Sequence, residues 1–395
     1  MPKKLTMKLA FYYHIPITQR GDGLFLPGYL GVFVDSLANS VEKLFLVMHE
    51  SNEVEARESN YCIQSKNIHW VNLGKKTPAW HRALFYTKIL KLKMKEIDGC
   101  DAFIVRSPTP LSPYFHKFYK NPNLYFMVVG DYAEGLEDLN NKTLRDKLIK
   151  KFLIYNDYLF RKTMKRVHVM PNSPRLFEKY KNIARSIHQI RTTTLSVNDF
   201  YEREDTCLNE RIELLYTGRI DAAKGLFELT EALAQLRKNN KNVYLNFVGW
   251  ETEIEKPVEK ALIKKAESLG VSNYMVFHGM KKIGAELNAM YQMADIYIIP
   301  SYQEGFPRTI WEAMANSLPV IASKVGAIPD YLTNEVDSIL IEPKRIDEIV
   351  NSVTKVIDNK HLRKTIIKNA LLIARENTLE VQTKRVITII KENLN

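Results

Sequence analysis

The sequence predicts an α/β protein of two domains, each built on a mostly parallel sheet with helices on both faces. Three observations lead there. Short apolar runs rich in β-branched and aromatic residues alternate with amphipathic helical stretches through most of the chain. The length of 395 residues exceeds one ordinary domain. Midway the alternation breaks: residues 187–209 are polar, with Thr192-Thr193-Thr194, Asn198-Asp199 and a charged run to Asp205, and read as a linker. With 45% apolar and 10% aromatic residues, each half can bury its own core.

The first half opens with a strand at 8–17, since Lys8 interrupts the apolar run and no small-residue cleavage site follows, against a signal peptide. A loop with Gly21, Gly23 and Gly28 comes next, then a helix over 29–40. These glycines could let a phosphate approach the backbone, but their spacing lacks the G-x-G-x-x-G pattern and suits a plain turn equally. Strands are expected at 44–48, 68–73, 102–106, 125–129 and 167–170. Asp131 follows the fourth of these, where a strand end would aim it into a cleft. Residues 82–97 interleave Leu84, Phe85, Ile89, Leu90, Leu92, Met94 and Ile97 with Lys88, Lys91, Lys93 and Lys95. That is a basic amphipathic helix, either facing a core with a solvated basic side or lying on an anionic membrane. A second basic helical region covers 142–166.

In the second half, a strand at 213–217 ends in Gly218-Arg219, and Lys224-Gly225 opens a helix to residue 237. Strands at 243–248 and 275–278 end in Gly249 and Gly279. Helices at 255–269 and 284–294 lie between, and later strands fall at 319–323 and 338–341 with helices at 346–357 and 361–377. Three strands ending in glycine at one edge allow a ligand close to the backbone.

The segment from Ile296 to Pro319 organises the rest. Ile-Tyr-Ile-Ile is a buried strand, Pro300 stops it, Ser301 to Phe306 form a loop, and Pro307 suits a first helical turn. Unpaired N–H groups at such a helix start attract anions. Glu304 in the loop and Glu312 in the helix could both serve ligand hydroxyls at the C-terminal edge of a parallel sheet. On spacing alone, an exposed loop carboxylate and a solvated helical one explain them as well. Arg219 and Lys224 should project over the same edge, a planar fork and a point charge suited to a diphosphate.

These residues carry a resemblance. Tyr216-Thr217-Gly218-Arg219, Lys224-Gly225, Phe247-Val248-Gly249, Phe277-His278-Gly279, Ala294-Asp295 and Pro300-Ser301 resemble, in order and spacing, family 4 glycosyltransferases of the GT-B fold. Glu304-Gly305-Phe306-Pro307 through Glu312-Ala313-Met314-Ala315 matches that family's E-x7-E motif, and Leu318 to Ala322 with Gly326 matches the segment after it. The resemblance covers about residues 212–341. It implies two Rossmann-like domains facing a central cleft: an acceptor-side domain over 1–195, with 380–395 packing back on it, and a nucleotide-sugar donor domain over 210–379. It implies a retaining, metal-independent transfer of a sugar from a nucleotide-diphosphate sugar to a glycan or lipid-linked acceptor, in bacterial surface polysaccharide or glycolipid synthesis. In that scheme Arg219 and Lys224 neutralise the leaving diphosphate, Glu304 holds donor-sugar hydroxyls and Glu312 the nucleotide ribose. Gly305, Phe306, Pro307, Arg308 and Thr309 contact sugar and phosphate, with Gly218, Gly249 and Gly279 at the strand ends and Gly28 from the first domain. Asp131 stands where the family often has a histidine and would orient the acceptor or sugar. No cofactor or metal is expected, and no Asp-x-Asp pair occurs in the sequence.

Composition adds the setting. Cys62, Cys100 and Cys207 are odd in number and in no metal pattern, which suits free thiols in the cytoplasm. No run approaches the ~20 apolar residues of a membrane span. The formal charge of +12 is carried by the first half, the second being close to neutral. An anionic partner follows for the first half, a membrane surface or a charged acceptor, and no nucleic-acid motif accompanies the charge. Two other functions remain open at this level: a GT-B nucleotide-sugar epimerase or hydrolase, which would turn over without acceptor, and a noncatalytic nucleotide-sugar binder.

Overall fold

The computed structural model describes residues 5–132 and 143–394. The chain divides into two compact units, Met1–Thr192 with Leu379–Asn395, and Thr193–Thr378.

In the first unit the strands are β1 (Leu5–Tyr12), β2 (Thr18–Arg20), β3 (Gly23–Leu26), β4 (Val41–Glu50), β5 (Tyr61–Cys62), β6 (Ile68–Lys75), β7 (Ala102–Ser107), β8 (Leu124–Val128), β9 (His168–Pro171) and β10 (Ser186–Ile187). Seven of them form a parallel sheet in the order β10-β9-β8-β7-β1-β4-β6. The chain runs outward from β1 through β4 and β6, then restarts at β7 and runs the other way. The sheet's topological switch point therefore lies between β1 and β7. Each face carries an apolar cluster: Phe11, Leu30, Leu37 and Met127 on one side, Tyr12, Phe103, Phe126 and Phe160 on the other. The helix Leu379–Glu392 adds Val386, Ile387, Ile389 and Ile390 to the first cluster.

Three expectations change here. The first strand ends at Tyr12, five residues early; the chain leaves the sheet before Pro16, which has no N–H to offer, and Ile17 returns with its N–H on His49 O (2.8 Å). The glycine loop is a small antiparallel sheet of β2, β3 and β5, turning at Gly21-Asp22. The long basic helix over 82–97 is broken into Ala79–Phe85, Thr87–Lys93 and a 3-10 turn, Met94–Ile97. Tyr86 breaks it: its hydroxyl donates to Lys75 O (2.9 Å), and the Ala83 carbonyl is occupied by the Tyr114 hydroxyl (2.7 Å). The second basic helix runs Leu144–Met164; Lys142, where it was expected to start, lies outside the described residues. Among the described residues no helix is long and apolar enough to cross a membrane.

In the second unit β11 (Ile212–Arg219), β12 (Val243–Trp250), β13 (Met275–Phe277), β14 (Ile296–Ile299), β15 (Val320–Ser323) and β16 (Ile339–Ile341) form a parallel sheet ordered β13-β12-β11-β14-β15-β16. Apart from the edge strand β13, its strands are largely buried on both faces and read as near-continuous apolar runs, as a covered parallel sheet requires. The order reverses between β11 and β14, whose register sets Leu214 beside Ile296 and Leu215 beside Tyr297. A buried ion pair fastens the segment before β11 to the helix Lys360–Glu376: Arg363 Nε and Nη2 reach Asp205 at 2.6 and 3.1 Å. The same guanidinium donates to the carbonyls of Val356 (2.8 Å) and Ile357 (2.9 Å), so its hydrogen-bonding capacity is well used.

Candidate functional site

The loops following β11 and β14 flank the second sheet's switch point, the place where open α/β sheets bind ligands. After β11, Asp221 caps a 3-10 turn, Ala222–Lys224, which hands over to the helix Leu226–Lys238. After β14, Pro300 ends the strand, and the loop reaches the helix Thr309–Ala315. That helix starts two residues later than Pro307, because Arg308 holds the cap position and the carbonyls of Pro307 and Arg308 accept from Ile310 (3.2 Å) and Trp311 (2.9 Å).

Two glycines permit the loops to close up. A Cβ on Gly225 (φ +66°) would sit 2.1 Å from Pro300 O, and one on Gly326 (φ +56°) would sit 1.8 Å from Glu304 O. Neither position admits a side chain, and both backbones are left-handed. Tyr302 N–H on Ala223 O (2.9 Å) ties the β14 loop to the β11 loop directly.

Across this junction Lys224 Nζ lies 2.7 Å from Glu304 Oε1, with both side chains largely buried. Ser301 Oγ donates to the same oxygen at 2.7 Å. Arg219 ends β11 exposed and without an ion pair among the described residues, its carbonyl accepting from the Tyr216 hydroxyl (2.7 Å). Gly218 and Gly249 stand side by side in register, and Gly249 N–H donates to Gly279 O (3.0 Å), so the three strand-end glycines share one edge. Gly305 faces open space. Phe306 anchors the loop instead of facing outward, stacking on Trp311 at 4.3 Å and meeting Tyr331 edge-on at 4.9 Å. Pro307 and Arg308 are half-buried beside it.

Glu312 is only 8% exposed and belongs to a polar network. Thr194 Oγ1 donates to its Oε1 (2.6 Å) and the Tyr291 hydroxyl to its Oε2 (2.8 Å). The Tyr291 oxygen also lies 2.8 Å from Thr217 Oγ1, and Tyr297 donates to Thr309 Oγ1 at 2.6 Å. Burial, reinforced by the Glu312 charge, pushes the Tyr291 hydroxyl well above its ordinary pKa, so it stays a donor. Each carboxylate oxygen accepts two hydrogen bonds at most comfortably, leaving Glu312 a free lone pair on each for an incoming hydroxyl.

Asp131 and Gly28 belong to the other unit. Asp131 follows β8, its carboxylate buried and ion-paired with Lys179, with the Tyr180 hydroxyl 3.5 Å away. Gly28 N–H is taken by Asn60 Oδ1 (2.9 Å). Sequence reasoning missed Thr194, Tyr291, Tyr297 and Ser301. Thr194 lies 118 positions before its partner and carries no local signal; Ser301, three residues before Glu304 in a loop, was within reach.

Residues 199–372 match the family model described as glycosyl transferases group 1. CapJ of Staphylococcus aureus is 24% identical over 390 residues, 96% of this chain and 94% of that protein. Matches to further relatives span 33% to 39% of those proteins' own length. Among solved structures, HepE of Anabaena in complex with UDP superposes with a TM-score of 0.73 at 17% identity, over 98% of this chain and 100% of that one. WaaG, a glycosyltransferase involved in lipopolysaccharide biosynthesis, superposes with a TM-score of 0.64 at 17% identity, over 97% and 99%. The architecture is thus that of the GT-B glycosyltransferases, two Rossmann-like α/β domains with parallel sheets, and the segment that bears Lys224, Glu304 and Glu312 is the one that matches the group 1 model.

Proposed function

We propose that the chain is a retaining glycosyltransferase that moves a sugar from a nucleotide-diphosphate sugar to a glycan or lipid-linked acceptor, without a metal ion, in surface polysaccharide or glycolipid synthesis. The observation that carries this is the cluster at the second switch point: two cations, one oriented by Glu304, beside a buried carboxylate with lone pairs to spare. Arg219 and Lys224 stabilise the diphosphate as the bond from the anomeric carbon to the phosphate oxygen breaks and the electron pair leaves with the oxygen. The acceptor hydroxyl bonds to the anomeric carbon on the same face, and its proton passes to the departing phosphate. Glu304 takes hydroxyls of the sugar, and Glu312 those of the ribose. Asp131, held by Lys179, orients the acceptor through the first unit. The likeness to WaaG and the group 1 match support a surface-glycan product, and the UDP complex of HepE puts uridine donors first for testing.

A second observation supports a membrane-bound acceptor. The broken helices after β6 bury Tyr86, Leu90, Met94 and Ile97 yet leave Trp80, Leu84, Phe85 and Leu92 at 55% to 64% exposure among Lys88, Lys91 and Lys95. One side packs on a core, and the exposed aromatics and lysines of the other support contact with an anionic bilayer surface.

The test is a panel of UDP-, GDP- and ADP-sugars with EDTA present, read by thermal shift and by product formation on added glycan acceptors. Turnover without acceptor would favour a hydrolase or epimerase, and a requirement for divalent metal would overturn the metal-free reading.

A further inference from the structure

The first unit has a switch point of its own, between β1 and β7, and two arginines are buried there with guanidinium N–H groups that nothing among the described residues accepts, although Arg82 also meets the Tyr12 hydroxyl. Arg106, at the end of β7, is 8% exposed; its guanidinium lies 4.4 Å from the centre of the Tyr13 ring, just past β1, and its Nε has no hydrogen-bond partner. Arg82, in the helix Ala79–Phe85 that follows β6, is 6% exposed, and its Nε and Nη1 have none either. Neither is ion-paired among the described residues, whereas nearby Lys76 is matched by Glu55. His49, at the end of β4, is fully buried beside Arg82.

Arginines that serve packing look different in this molecule. Arg363 spends its N–H groups on one carboxylate and two carbonyls. A guanidinium left buried with idle donors destabilises the fold, and buried donors are otherwise nearly always satisfied. The surrounding field is positive: burial, then Arg82, Lys76 and Arg106, hold His14 down to about 3.

We propose that Arg82 and Arg106 form an anion site at the first unit's switch point that takes the carboxylate or phosphate oxygens of the acceptor. Two planar forks suit either group, each offering paired N–H donors to paired oxygens. The word acceptor rests on the glycosyltransferase reading above; the anion site itself does not.

The test measures binding, not transfer, in the full chain carrying Arg219→Ala and Lys224→Ala, which removes the donor-side cations. Sodium phosphate, sodium glucuronate and methyl glucoside are titrated at constant ionic strength, followed by thermal shift and calorimetry. A saturable rise in Tm with glucuronate marks an acceptor bearing a uronic acid; one with phosphate marks a phosphorylated acceptor; methyl glucoside gives neither. Arg82→Met and Arg106→Met abolish the rise, and without ligand they melt at or above the parent temperature, since an idle buried charge is removed. Arg106→Lys keeps charge and bulk and weakens binding about tenfold through loss of the fork. No saturable rise with either anion, undiminished binding in the Arg106→Lys and Met variants, or Met variants that melt well below the parent would each overturn the proposal. Anion binding intact in the test protein, with no sugar transfer by the parent chain that keeps Arg219 and Lys224, would leave the site standing and reject the transferase reading alone.

Discussion

Lys224 Nζ and Glu304 Oε1 meet at 2.7 Å across the second unit's switch point, joining two loops that are 80 residues apart in sequence. The pair fixes the direction of a flexible lysine before any ligand arrives. Its remaining N–H donors point to no other side chain among the described residues, and in the proposed transfer they would meet the leaving diphosphate.

Replacing Lys224 or Arg219 by alanine should lower kcat by about 10² to 10³-fold, in line with loss of one preorganised charge donor. Circular dichroism should remain that of the parent. Equal turnover in parent and variant would remove both residues from the reaction. Glu304→Gln should also impair transfer, since it both releases the lysine and loses a hydroxyl acceptor.

Glu312→Ala strands the Thr194 and Tyr291 hydroxyls in the interior and should cost about 2–4 kcal/mol of stability. Glu312→Gln preserves the shape and one acceptor and should cost less. Urea denaturation with unchanged m-values would measure the difference.

Asp205→Ala leaves Arg363 buried and half-paired, at an expected cost of about 3–5 kcal/mol. Replacing both residues by apolar ones of similar volume should recover much of it. A double-mutant cycle would separate the pair's own contribution from the penalty of the orphaned charge.

Acid should weaken the first unit through His14 and His49. Burial, with Arg82 next in effect, holds both down to about 3, while in the unfolded chain they titrate near the ordinary 6.5. Between those values the unfolded chain binds protons that the folded one refuses, so stability is complete above about 6.5 and declines as pH falls toward 3. A His49→Leu variant should show a shallower decline over that window in urea midpoints. An identical pH profile would show that His49 does not titrate as its surroundings demand.

Lys88→Ser with Lys91→Ser should weaken binding to anionic liposomes about thirtyfold, at ~1 kcal/mol per lysine near the surface, and Leu84→Ser with Phe85→Ser should weaken it as well. Neutral liposomes should retain little of the parent protein. Binding that ignores both lysines and lipid charge would dispose of the membrane face.

The second unit was the more legible in sequence. Its parallel strands are covered on both sides, so Ile296–Ile299 and the runs ending in Gly218, Gly249 and Gly279 stand out as apolar blocks with punctuation at one edge. That edge also placed Lys224, Arg219 and Glu304 near one another before any coordinates. Their direct pairing was not legible, because a salt bridge depends on loop closure that Gly225 and Gly326 permit and periodicity does not record. In the first unit, strands β2 and β3 are too short to carry a period, and the long basic helix was misread as continuous because Tyr86 breaks it through a hydrogen bond to Lys75, a tertiary contact. Arg82 and Arg106 passed unnoticed for a related reason: sequence shows a charge, and only packing shows that it lacks a companion.

The helix Leu379–Glu392 lies over the first sheet, with Thr383 Oγ1 2.8 Å from Ser36 Oγ. Ser36 is made 347 residues before Thr383. The share of the first cluster that Val386, Ile387, Ile389 and Ile390 supply is therefore missing throughout synthesis of the intervening unit, which can mature as one unbroken stretch. Birth order and folding order are inverted there, and loss of the helix Leu379–Glu392 would uncover apolar surface more than 300 residues earlier in the chain.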